Sequence, residues 1–200
     1  MTYSSVAAFA AAITFSLSVA PVPVFADGSP TTTSQAEWIA ITEATHRRVV
    51  EMRFDDAPAD ILPTLLTRVD LYDNTIAEVR FDHSQSVTPG EMGVGSRRIC
   101  VFTDGRILVE PLLVYDPPRA YAYTVDAEAS TMSLPVSEIV LHYEFRDEGN
   151  GAHLTVNAFY DPAIPGTGVV IEPVLTGTLR RTFQTATEVF GGAYVGDARP

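Results

Sequence analysis

A single cysteine, Cys100, excludes an intramolecular disulfide in this chain of 200 residues. A buried structural thiol is its expected role, because no basic residue or histidine adjoins it on the same strand face. Lysine is absent, and all 13 basic residues are arginine. Against 25 acidic residues they leave a formal net charge of -12. Such a chain repels phosphate backbones, which excludes nucleic acid as a partner. The four histidines, His46, His83, His142 and His153, lack any paired metal spacing. Asp55, Asp56 and Asp60 do not match an EF-hand loop. Gly90, Gly93 and Gly95 miss the G-x-G-x-x-G spacing and precede a strand, so they form no phosphate site. G-x-S-x-G is absent. Asp82-His83-Ser84 contains triad residue types, but strand neighbours point to opposite faces and cannot converge. No metal, nucleotide or cofactor is expected.

Charge is also missing from Met1 to Ala26, which contains no Asp, Glu, Lys, Arg or His. Val6 to Ala20 is a short apolar run, closed by Pro21 and Pro23. Val24 and Ala26 suit signal-peptidase cleavage after Ala26, although the usual basic n-region is absent. A spanning helix needs about 20 apolar residues. Residues 1–26 are therefore predicted to be a secretory signal, with a retained anchor as the other reading. The protein is expected to be secreted or periplasmic, with no stable membrane span after signal removal. Residues 27–36 read as a polar linker.

The remaining chain is long enough to bury one core without disulfides. Arg47 to Phe54 reads as a strand. Asp56 suits a helix cap, with Pro58 in the first turn. Ile61, Leu62, Leu65, Leu66 and Val69 recur at helical spacing, and Pro63 predicts a short or late-starting helix. Thr75 to Asp82 is the next strand. Arg97–Phe102 and Ile107–Tyr115 flank Thr103-Asp104-Gly105, a strong hairpin signal. Asp116-Pro117-Pro118 stops the second of these, and Tyr121–Val125 comes next. In Ser137–Phe145, Ile139, Leu141, Tyr143 and Phe145 alternate with Glu138, His142 and Glu144, the pattern of a half-buried strand. Ala152–Tyr160 is the last predicted strand. The period then changes. Ile171, Leu175, Leu179, Phe183, Ala186 and Phe190 form one helical stripe, which Gly191-Gly192 ends.

A curved sheet packed against one long helix leaves a pocket when the helix does not fill the concavity. The stretches MRFDDAPADILPTLL, GVGSRR and DGRILVEPLLVYDPPRAYAY resemble the START/Bet v 1-like superfamily, which includes the polyketide cyclase-like proteins. The resemblance covers about residues 47–190. It implies an α+β helix-grip fold: a curved antiparallel sheet wrapped on a long C-terminal helix, with a hydrophobic cavity. The domain is expected over residues 37–192, with residues 193–200 as a C-terminal tail. Members bind lipids, sterols, polyketides or other apolar metabolites, and some catalyse cyclisation or dehydration. LYDNTIAEV stands where members often carry an aromatic-Pro motif, so one pocket wall departs from the pattern. The family has no universal catalytic motif to carry over.

Site residues must therefore come from this chain. Glu110 shares a predicted strand face with Leu108, Leu112 and Val114. Facing inward it would be a general acid or base; on the rim it would pair with an arginine such as Arg97 or Arg119. Tyr121, Tyr123 and Tyr143 offer apolar wall plus a hydroxyl, as a ligand pocket needs. Leu175, Leu179, Thr182 and Phe183 line the facing helix, with Thr178 and Thr182 at the margin of its stripe. His142 is expected to face solvent. His153 and Asn157 share the other face of the last strand, where Asn157 reads as an exposed polar residue.

The expected function is an exported binding protein for a hydrophobic small molecule. A cyclase or dehydratase using Glu110 and a pocket tyrosine is the alternative, and requires Glu110 in the cavity beside a second polar group. An exported interaction domain with a collapsed pocket is the third reading, supported if aromatic side chains fill the concavity. Oligomeric state is left open.

Overall fold

The computed structural model describes residues 46–198. The signal and linker readings lie outside those residues. Eight strands form one antiparallel sheet: β1 (His46–Phe54), β2 (Ile76–Asp82), β3 (Arg97–Phe102), β4 (Ile107–Asp116), β5 (Ala120–Thr124), β6 (Val136–Asp147), β7 (Ala152–Pro162) and β8 (Gly192–Ala198). Their order is β2-β3-β4-β5-β6-β7-β1-β8. Helix α1 (Pro58–Thr67) and a short 3-10 turn at Val69–Leu71 connect β1 to β2. Helix α2 (Gly168–Phe190) packs on the inner face.

Alternation along the strands sets that face. Val50, Met52 and Phe54 of β1, Tyr121 and Tyr123 of β5, Tyr143 and Phe145 of β6, and Leu154, Val156 and Ala158 of β7 join one core. Both helices press their apolar stripes into it: Ile61, Leu62, Leu65 and Leu66 from α1, and Leu179, Phe183 and Ala186 from α2. Ile171 is also buried, while Leu175 and Phe190 are half-buried. The predicted helix-grip architecture is thus present. Among the described residues no helix is long and apolar enough to cross a membrane.

Local chemistry explains most boundaries. Gly105 adopts φ +84° at the β3–β4 turn, where Phe102 N–H donates to the Arg106 carbonyl at 2.8 Å. Helix α1 begins with Pro58, but its N-cap is Ala57 and no side chain caps it, so Asp56 does not take the predicted role. The helix runs through Pro63, whose ring faces solvent. Helix α2 begins at Gly168, ahead of Pro173, and ends at Gly191 with φ +78°.

Two features depart from the sequence reading. The expected C-terminal tail forms β8, which pairs antiparallel with the free edge of β1. At the turn into it, a Cβ on Gly192 would lie 2.1 Å from the Arg53 carbonyl oxygen. In β4 the register shifts between Leu112 and Val114. Leu112 stays in the core, while Val114 moves to the outer face and does not share the Glu110 side as expected.

Candidate functional site

Glu110 lies in the interior, not on the rim. It faces Arg98 across the β3–β4 ladder, and Arg98 Nε donates to Glu110 Oε2 at 2.8 Å. Both side chains are at most 5% exposed. Arg98 Nη1 also donates to the Leu66 carbonyl at 3.3 Å, and its guanidinium sits 4.0 Å from the Tyr123 ring centroid. Cys100 Sγ lies 3.4 Å from the same Glu110 oxygen. Burial and the Glu110 charge push this thiol well above its usual range, as expected for a structural cysteine, although Arg98, two residues earlier on the same strand face, is a basic neighbour that the sequence reading missed. Neither arginine anticipated from the sequence is the partner: Arg97 pairs with Asp126 and Arg119 with Asp116. The hairpin carried the signal. With Phe102 opposite Arg106, counting back along both strands puts Arg98 opposite Glu110.

Beside this ion pair, the tyrosines fill the concavity. Tyr121 stacks on Tyr143 with centroids 4.2 Å apart, and Tyr143 meets Phe183 edge-on at 5.9 Å. The Tyr123 and Tyr143 hydroxyls are 2.8 Å apart. Burial raises both phenols well above their usual range, so they stay protonated. Tyr121, Tyr123, Tyr143, Leu179 and Phe183 therefore come together as predicted, in one packed cluster. Leu175 links this cluster to a second one, formed by Ile139, Tyr160 and Ile171. Thr182 is half-buried and joins neither.

The second cluster differs in its polar groups. The hydroxyls of Tyr160 and of Thr178 on α2 are buried without a hydrogen-bond partner among the described residues, as is that of Tyr121 in the first cluster. Tyr160 stacks on His46 at 5.2 Å, and α2 begins with Gly168 packed against that imidazole. Close by, a cavity of about 200 Å³ opens at the sheet end, lined by Val125, Ser130, Met132, Leu134, Val136 and Ile139. Val125, Leu134 and Val136 pack against the Tyr160 cluster, so the cavity borders it. Tyr160 is the residue the sequence reading missed. Its place two residues beyond Ala158 and four beyond Val156 put it on the inner face all along.

The remaining candidates belong to the outer face. Asn157 is buried, not exposed as expected. It accepts from Arg47 Nε at 3.2 Å and donates to Glu144 Oε2 at 2.9 Å. His142 is half-buried beside it across the β6–β7 ladder. Burial holds His142 below its ordinary value. His153 is buried on the same face.

An antiparallel sheet gripping one long helix, with apolar clusters between them, defines a helix-grip protein. The chain belongs to the polyketide cyclase/dehydrase and lipid transport family, whose model matches residues 45–190. No curated protein matches the sequence. Among solved structures it is similar to the protein XoxI from Bacillus cereus, at 14% identity and TM-score 0.56, covering 73% of this chain and 96% of that one. It is similar to Ara h 8.0201 at 15% identity and TM-score 0.53, covering 72% and 97%. The ginseng major latex-like protein 151 from Panax ginseng matches at 16% identity and TM-score 0.50, covering 74% and 98%. At these identities the likeness shows the fold alone.

Proposed function

We propose that the protein binds a hydrophobic small molecule between the sheet and the first half of α2, outside the cytoplasm. One observation carries this reading. Two buried hydroxyls there, on Tyr160 and Thr178, have no partner in the chain as described. Leaving such a group unpaired in an apolar interior costs about 1–3 kcal/mol. A ligand with an apolar body and one or two polar atoms offsets that cost. Ile139, Ile171 and Leu175 supply the matching apolar wall, and the cavity lined by Val125, Leu134 and Val136 supplies the approach. The family's own description, which includes lipid transport, supports the same ligand class. The uncharged first 26 residues support export.

Binding is favoured over cyclase or dehydratase chemistry by the state of Glu110. One of its oxygens already accepts from both Arg98 and Cys100. Neither described surface cavity touches it. A general base must lie within hydrogen-bond reach of its substrate, and no approach to Glu110 is provided by either cavity.

A second reading rests on the stacked rings. Tyr121, Tyr143 and Phe183 occupy the middle of the concavity, as they would in an interaction domain with a filled interior. Native mass spectrometry of the protein from the cells that make it separates the two. A co-purified apolar species, lost in Thr178→Val or Tyr160→Phe, is the expected result. Protein that stays empty after incubation with mixed lipids and aromatic metabolites overturns the binding reading in favour of the filled domain.

A further inference from the structure

Helix α2 changes character along its exposed side. In its second half the exposed residues include Arg180, Arg181, Gln184 and Glu188, as on an ordinary solvated helix face. From Ala163, just ahead of the helix, to Val174, every exposed side chain is apolar. Val169 is 82% exposed, Val170 70%, Ile164 56% and Val174 48%. Val170 and Val174 are one turn apart, as are Val169 and Pro173, and Ile164 lies in the turn that leads into them. The two polar side chains of this stretch are withdrawn. Thr167 Oγ1 donates to the Ile164 carbonyl at 2.7 Å, and Glu172 pairs with Arg48. The first turn carries no acidic residue, although a helix N-terminus favours one. Single exposed apolar residues are ordinary, but a contiguous set without polar groups marks an interaction surface.

We propose that this patch docks the protein on the surface of a zwitterionic phospholipid bilayer, so that the apolar ligand passes between lipid and cavity without crossing water. The inference rests on the binding reading above and names the surface at which the ligand is exchanged. Place, charge and size favour this partner. Ala163 N–H donates to the Pro135 carbonyl at 3.1 Å, and Leu134 and Val136 on either side of Pro135 line the cavity beside the Tyr160 cluster. The patch therefore adjoins the cavity mouth. Residues 163–179 contain no basic residue, and a net charge of -12 repels anionic lipid. The contact is then apolar insertion, not attraction to charged headgroups. The patch also falls well short of the roughly 20 residues a side that a stable protein interface uses. Binding at a lipid interface instead scales with the apolar area inserted.

Flotation of the protein purified from the cells that make it, with phosphatidylcholine vesicles, tests this. Wild type is expected to float with the vesicles, equally at low and at high salt. The double variant Val169→Asp/Val170→Asp should lower partitioning about tenfold or more. Val189→Asp, equally open to solvent on the second half of α2, should leave it unchanged. Four results overturn the inference. Wild type that does not float has no affinity for the lipid surface. Binding that the double change leaves intact is anchored by another segment. Binding that needs anionic lipid and vanishes at high salt is electrostatic. A dimer by light scattering that the double change dissociates gives the patch to a second copy of the chain. Native mass spectrometry after incubation with detergent-dispersed mixed lipids separates this inference from the reading beneath it. Wild type and double variant should both load. Loading without flotation overturns the docking alone, and no loading of either protein overturns the binding reading and the docking with it.

Discussion

The two ends of the interior solve the same problem in opposite ways. At the β3–β4 end most buried polar groups are answered, the Tyr121 hydroxyl being the exception. Arg98 has Glu110, the Leu66 carbonyl and the Tyr123 face; Tyr72 donates to the Leu65 carbonyl at 2.7 Å; Tyr123 has Tyr143. At the end under the first half of α2, the Tyr160 and Thr178 hydroxyls are buried but unanswered among the described residues. Fully satisfied buried networks fix one conformation, and partly satisfied ones leave free energy to be recovered by binding. The contrast separates a structural end from a receptive one. It also reassigns Glu110, the residue whose chemistry first suggested catalysis, to the structural end.

The largest effect should come from breaking the satisfied end. Glu110→Ala leaves the Arg98 guanidinium buried without its counter-charge, a loss of about 3–5 kcal/mol in unfolding free energy. Arg98→Met with Glu110→Leu removes both charges and should recover most of that loss in the same urea titration. A double variant as unstable as the single one would show that the pair cannot be traded for apolar packing. A single variant with wild-type stability would show that this end is not the structural one.

Next in size is Gly192→Ala, at the turn that anchors the C-terminal half of α2 to β8. The backbone there has φ +140°, and the added Cβ would meet the Arg53 carbonyl at 2.1 Å. A loss of about 1–3 kcal/mol is expected. Faster hydrogen exchange across β8 and β1, with β5 and β6 unchanged, is the accompanying signature. Exchange that rises everywhere would mean that β8 is integral to the whole sheet and not an added edge.

The sequence revealed what is local and hid what is not. The Asp104-Gly105 hairpin, the alternation in β6 and the stripe of α2 each arise within a few turns of chain, and all three stand in the structure. The inward-facing tyrosines followed from strand parity. Three features escaped. Strand β8 is the glycine-rich run GAYVGDA, with little alternation of its own, and it exists because β1 offers a free edge from the far end of the chain. The β4 irregularity at Leu113 is set by pairing to β5, and composition gives no sign that Val114 turns outward. The receptive end escaped because an unpartnered hydroxyl is a relation between elements: Tyr160 and Thr178 look ordinary until β7 and α2 are packed together.

At the receptive end the sign of the effect reverses. Tyr160→Phe removes a buried hydroxyl that nothing in the described chain satisfies, so the empty protein should gain up to about 1 kcal/mol. Ligand affinity should fall at the same time, by about tenfold if one hydrogen bond of that size is lost. Stability rising while affinity falls is the pattern that distinguishes a receptive end from a merely underpacked one. Stability and affinity falling together would move Tyr160 into the structural half of the comparison.

The smallest effect tests whether the outer face takes part in either end. Burial holds His142 below its ordinary value of 6.5; the Glu144 charge opposes this and the Arg47 charge adds to it. The folded protein then binds a proton there less readily than the unfolded chain does. This contribution to stability is fully present above pH 6.5 and is lost as the pH falls below it. His142→Gln keeps a polar side chain without that titration. Its unfolding free energy should track the wild type above pH 6.5 and decline less steeply below. Asn157, fixed between Arg47 and Glu144, holds the ring's neighbours in place on both sides of that pH, so the difference between the two proteins isolates the imidazole. Parallel curves down to about pH 5 would show that the imidazole titrates as it does in the unfolded chain. The inner face alone would then carry the contrast between the two ends.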